Sequence, residues 1–227
     1  MGYHFSPETD FQQLEQSLAR LYTPERLPDQ LERCRGVLAG LKETFGPCAQ
    51  AAVFSAPGRT EICGNHTDHQ HGLVLAGSID LDVIAAVAPN GENVIRIQSE
   101  GFPMDTVELD SLEPREGERN TSAAIIRGVA AWFKSQGCRL EGFDAYTTST
   151  VFKGSGLSSS AAFEVLLGNI FNELFFGGQC TPARIAQTGQ YAENVYFGKP
   201  SGLLDQMASS VGGMVTIDFQ DNANPVV

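Results

Sequence analysis

Lys153-Gly154-Ser155-Gly156-Leu157-Ser158-Ser159-Ser160-Ala161-Ala162 links a strand-like segment, residues 143–150, to an apolar helical segment, residues 159–175. Two glycines let a backbone approach a ligand closely, and the start of a helix presents unpaired N–H groups at the positive end of its dipole. Phosphate suits that environment. A serine hydroxyl in such a turn is also a candidate ligand for Mg²⁺. The Walker pattern, with Lys after the last glycine, is absent. A serine-rich helix cap that binds nothing is the competing reading of the same residues.

Outward from this turn, strands and helices alternate irregularly. Residues 8–45 carry apolar side chains at helical spacing and predict two helices broken at Pro28 and ended by Gly46-Pro47. Residues 51–55 predict a short strand leading into a loop at Pro57-Gly58. Residues 81–88 and 94–98, separated by Pro89-Asn90-Gly91, predict a hairpin, with a further strand at 106–109. Residues 111–120 predict an exposed loop. Helices follow over 121–136, 181–196 and 204–210, the second opened by Thr181-Pro182, and residues 214–219 predict a final strand. The pattern is that of an α+β fold, a mixed β-sheet with helices packed on it.

The chain has 227 residues, enough for a sizeable core, with 42% hydrophobic and 19% charged residues. No apolar run reaches the roughly 18 residues of a membrane span. A net charge of −12 argues against nucleic acid and anionic membranes as partners. Five widely spaced cysteines without a CxxC pair argue for a reducing cytoplasm.

Two further segments carry chemistry. Glu193 lies in a predicted helix and Asp205 follows the next loop, an arrangement that suits a metal ligand and a carboxylate beside an attacking hydroxyl. Acidic chains also produce such pairs by chance. Residues 57–72, Pro-Gly-Arg-Thr-Glu-Ile-Cys-Gly-Asn-His-Thr-Asp-His-Gln-His-Gly, are polar and punctuated by glycine. Three readings stand for them: a metal site from His66, Asp68, His69 and His71, a sugar pocket, or a polar loop with satisfied histidines.

Together the three segments resemble the galactokinase family of the GHMP small-molecule kinases. Gly58-Arg59, Gly64, His66, Asp68, Gly72 and Val74-Leu75 match its first signature; Gly154 to Ala161 match its phosphate motif; Ala192-Glu193-Asn194, Gly198, Gly202 and Asp205-Gln206 match its third block. The resemblance implies the N-terminal domain fold of that superfamily over residues 47–227, with residues 1–46 as a helical extension. It implies ATP-dependent phosphorylation of the C1 hydroxyl of a hexose, galactose in the first place, with Mg²⁺ as cofactor. Asp205 and Arg59 take the catalytic places. Gly154, Ser155, Gly156, Leu157, Ser158, Ser159 and Ser160 take the nucleotide places, Ser160 and Glu193 the metal places, and Asn65, His66, Asp68 and Gly202 the sugar places. The chain departs from the family pattern at Glu61, Asn65 and His69. On the family's adenine-side helix only Arg127-Gly128-Val129 is retained, with Ser122 and Ile125 in the aromatic places. Kinases of other sugars or sugar acids, and sugar-responsive regulators without turnover, share the motifs. The family's second, C-terminal lobe has no counterpart here, which leads us to expect a fragment with little or no turnover alone.

Overall fold

A computed structural model describes residues 3–5 and 11–227, except Asn65, Lys153 and Asn222. In chain order the main elements are β1 (Tyr3–Phe5), α1 (Phe11–Leu18), α2 (Leu27–Phe45), β2 (Ala51–Cys63), β3 (Leu73–Pro89), β4 (Val94–Ser99) and β5 (Asp105–Glu108). Then come α3 (Ser122–Ser135), β6 (Phe143–Ser149), α4 (Ser159–Phe175), α5 (Pro182–Tyr191), a π-helical turn (Ala192–Phe197), α6 (Leu204–Val211) and β7 (Met214–Asp218). The strands form one sheet in the order β1-β2-β3-β6-β4-β5, with β7 paired to the N-terminal part of β3. Every pairing is antiparallel except β4 with β6. This is the mixed sheet with packed helices that the sequence predicts.

β3 explains the layering. Its residues from Val83 to Ala88 are all buried, where a half-buried strand would alternate. Val83, Ala85 and Val87 join the core under α3 and α4, with Ile126, Phe133, Leu166 and Phe171. Ile84, Ala86 and Ala88 face the other way, against Val37 and Leu41 of α2. The expected extension, residues 1–46, therefore contributes α2 as the covering layer of the second face. Pro28 lies in the first turn of α2, where its missing N–H costs nothing, so the break between the two helices falls before it.

Two local expectations are corrected. The predicted hairpin does not form: β6 lies between β3 and β4. Asn90 Nδ2 donates to Asp144 Oδ1 of β6 at 2.9 Å, and Arg96 Nε to the same oxygen at 2.7 Å, so the turn residues serve a strand fifty positions on. The predicted loop at Pro57-Gly58 is strand, because β2 continues to Cys63 with register shifts at Pro57/Arg59 and Glu61/Cys63. Such bulges admit a proline and re-aim the following side chains. The segment 111–120 is largely exposed, as expected, with Leu112 alone buried. Arg127, fully buried, anchors the segment by donating to both carboxylate oxygens of Glu118 and to the Ser111 carbonyl.

Candidate active site

The turn after β6 and the bulged strand β2 meet at backbone level. Arg59 N donates to Leu157 O at 3.1 Å, and a Cβ on Gly58 would lie 2.8 Å from that same oxygen. Glycine is thus required at 58 for the two segments to touch. The first bulge turns Arg59 inward, where it is 7% exposed. Its Nε donates to Asp205 Oδ1 at 2.7 Å and its Nη1 to Gly156 O at 2.7 Å. One guanidinium therefore joins β2, the Gly/Ser turn and the first turn of α6.

Ser158 occupies the N-cap position of α4 in the left-handed region, with φ 57°. For a residue with a Cβ this conformation is costly and is usually found where function demands it. Its hydroxyl makes no capping bond and instead donates to Asp205 Oδ2 at 2.5 Å. The first-turn N–H groups of this long helix, from Ser159 and Ser160 onward, are left to accept an external anion. Gly154 and Gly156 have positive φ and lie exposed beside them, as do Ser155 and Ser160. Leu157 differs from the rest of the predicted nucleotide set: its side chain packs on the main core and its carbonyl pins the turn to β2.

Asp205 is 31% exposed at its side chain. Burial pushes its carboxyl up, but hydrogen bonds from Arg59 and Ser158, with the Arg59 and His66 charges, outweigh it and hold the group below the usual carboxylate range. Asp205 is therefore an ionised acceptor at neutral pH, with lone pairs left for a further donor.

The predicted sugar residues divide. Asp68 is buried, and its Oδ2 accepts from the backbone N–H groups of Leu203 and Leu204 at 3.0 and 3.1 Å, capping the start of α6. A Cβ on Gly202 would lie 1.8 Å from that oxygen, which explains the glycine. Asp68 Oδ1 is buried with no hydrogen-bond partner. His66 Nε2 lies 3.1 Å from Glu61 Oε2, and its backbone N donates to Glu61 Oε1 at 2.8 Å, so the unusual Glu61 holds this turn. Asn65 lies outside the described residues. Among the described residues no three His, Cys, Asp or Glu side chains are grouped so that they could hold a metal ion.

Glu193 lies in the π-helical turn, which sequence periodicity cannot distinguish from a continuing α-helix. The predicted helix 181–196 in fact changes its winding at Ala192. Glu193 is 3% exposed; its Oε1 lies 3.0 Å from Lys199 Nζ and its Oε2 accepts from Gln206 Nε2 at 3.1 Å. Gln206 Nε2 also donates to Glu164 Oε2 at 2.9 Å, while Glu164 Oε1 and Gln206 Oε1 are buried without partners. Burial, then the Glu193 charge, pushes the Glu164 carboxyl well above its ordinary value. Glu164 and Ser160 stand one turn apart on α4, at i, i+4. Sequence reading missed Glu164 and Lys199, and it named Gln206 only as part of the third block, without a role. The four-residue spacing from Ser160 was the signal for Glu164; Lys199, one of 15 basic residues in so acidic a chain, was the signal for itself.

The sequence and the fold both have matches among known proteins. Residues 41–89 match the galactokinase galactose-binding signature and residues 123–213 the N-terminal domain of GHMP kinases. Galactokinase of Lacticaseibacillus casei is 36% identical over 178 residues, 78% of this chain and 45% of that protein. Galactokinase of Streptomyces coelicolor is 36% identical over 183 residues, 79% of this chain and 47% of that protein. The structure of Lactococcus lactis galactokinase complexed with galactose superposes with a TM-score of 0.75 at 29% identity, covering 83% of this chain and 49% of that one. The chain thus spans about half the length of the curated relatives it matches. No described helix is long and apolar enough to cross a membrane. By the family models it matches and by its fold, the chain belongs to the galactokinase family of the GHMP kinases and corresponds to the N-terminal part of its members.

Proposed function

We propose that these residues form the nucleotide-binding and part of the sugar-binding site of an ATP-dependent galactose 1-kinase. The observation that carries the reading is the three-way junction of Arg59, Asp205 and the Gly/Ser turn, which brings an ionised carboxylate to an uncapped helix N-terminus. The backbone N–H groups at the start of α4 hold the transferring phosphates, and Arg59 balances charge beside them. Asp205 accepts a hydrogen bond from the C1 hydroxyl of the sugar and orients its oxygen toward the γ-phosphorus. As the new P–O bond forms and the bond to ADP breaks, the hydroxyl proton passes to Asp205 and then to water. A carboxylate of lowered pKa is a weak base, so it acts first by orientation, in keeping with the loose transition states of phosphoryl transfer. His66 and Asp68 line the sugar side. Asn65 and Gly202 complete that set by position in the motif.

The donor set also fits Mg²⁺, a hard cation that prefers oxygen ligands. Ser160 Oγ and the Glu193 carboxylate would hold it, and an ammonium group already stands on Glu193 where a cation belongs. When bound, the ion would neutralise charge on the phosphate oxygens.

The test is Asp205→Asn in a polypeptide that carries this chain at the full length of its relatives. Galactose-dependent ADP release should fall by more than about a hundredfold, the scale of a lost acid–base group. Activity within about tenfold of the parent would remove Asp205 from this role. Glu61 on His66 favours one variation, a neighbouring sugar as preferred substrate, which a panel of hexoses, galacturonate and N-acetylhexosamines in the same assay distinguishes.

A further inference from the structure

Lys199 stands on the oxygen that a divalent ion would need. Its Nζ lies 3.0 Å from Glu193 Oε1, and the other Glu193 oxygen is taken by Gln206. The Glu193 side chain is 5% exposed, so its charge needs a partner, whereas that of Lys199 is 61% exposed. Two cations on one oxygen would face each other at contact distance, and like charges that close repel strongly at the reduced dielectric of a buried site. The main chain of this loop is fixed, since the N–H groups of Gly198 and Lys199 both donate to Glu193 O at 3.0 and 3.2 Å. The four-carbon stem leaves the ammonium itself free to move.

We propose that Lys199 is a displaceable internal cation, which neutralises Glu193 in the nucleotide-free protein and must withdraw before a divalent ion can use that carboxylate. The inference rests on the reading of Glu193 as a metal ligand. It adds a built-in competitor that sets how tightly the bare site holds metal.

Mn²⁺ is the probe, with its free concentration read by electron paramagnetic resonance on the whole chain at neutral pH without nucleotide. Lys199→Met and Lys199→Gln should each tighten Mn²⁺ binding by at least about fivefold, the low end of ordinary coupling between two ligands. Lys199→Arg, which keeps the charge, should stay within about twofold of the parent on the same scale. Glu193→Gln should lose the binding. Unchanged or weaker binding in both uncharged Lys199 variants overturns the inference while leaving Glu193 as a ligand. Tightening by Lys199→Arg equal to that of Lys199→Met overturns charge competition as its cause. Mn²⁺ binding that survives Glu193→Gln overturns the metal reading and the inference with it. Lys199 is exposed, and thermal unfolding of each variant confirms that the binding compared is that of folded protein.

Discussion

Gly202→Ala is expected to disrupt the site without touching any reacting group. The new Cβ would lie 1.8 Å from Asp68 Oδ2, so either the carboxylate or the start of α6 must move. Asp68 would then lose its bonds to the N–H groups of Leu203 and Leu204. A hydrogen bond to a charged group contributes about 1.5–3 kcal/mol and a lost N-cap about 0.5–2 kcal/mol, so two bonds sharing one acceptor should cost about 3 kcal/mol. Asp68→Ala alone should cost about the same, because it deletes the same pair of bonds. In the double variant the clash has no partner, so the two costs should fail to add by about 2–3 kcal/mol. Urea unfolding of the four proteins closes the cycle. Costs that add within about 0.5 kcal/mol would refute the claim that Gly202 is needed to admit the Asp68 carboxylate.

Glu118→Gln leaves a fully buried guanidinium facing an amide and should destabilise by about 3 kcal/mol in the same assay. The Arg127 hydrogen bond holds the Glu118 carboxyl below its unfolded value. The stability it contributes is therefore present above the unfolded pKa and lost as pH falls through the folded one, so the deficit of Glu118→Gln should shrink in acid. Ser158→Ala removes one of the hydrogen bonds that lower the Asp205 pKa. The acid limb of sugar phosphorylation should move to higher pH; an unmoved limb would assign it to another group.

What could be read from residues alone was set by how local each signal is. Thr121 as N-cap, Thr181-Pro182 as a helix start and the Gly/Ser turn each act within a few positions, and each stands where predicted. Arg59 and Asp205 were also legible, through motif spacing, and they meet. The insertion of β6 between β3 and β4 was not, because Val83 to Ala88 are buried by helices from two distant parts of the chain. The bulges in β2 depend on the Gly/Ser turn docking at Gly58, and the π-helical winding at Ala192 has no periodic signature over one turn. The gathering of Glu164, Gln206 and Lys199 around Glu193 was illegible for a similar reason, although single residues carried a local signal. It is assembled from two helices, the π-helical turn and the loop that follows it, and only the coordinates show its shared donors and orphaned oxygens.

On the reading proposed above, the tip of α4, with Ser160 and Glu193, receives a metal–polyphosphate. Calorimetric titration of this chain with MgADP and with ADP in EDTA tests it directly. Binding should depend on Mg²⁺ and weaken at least about tenfold, or about 1.4 kcal/mol, in Ser160→Ala and in Glu193→Gln. Binding indifferent to the metal and to both substitutions, in protein shown to be folded, would contradict it.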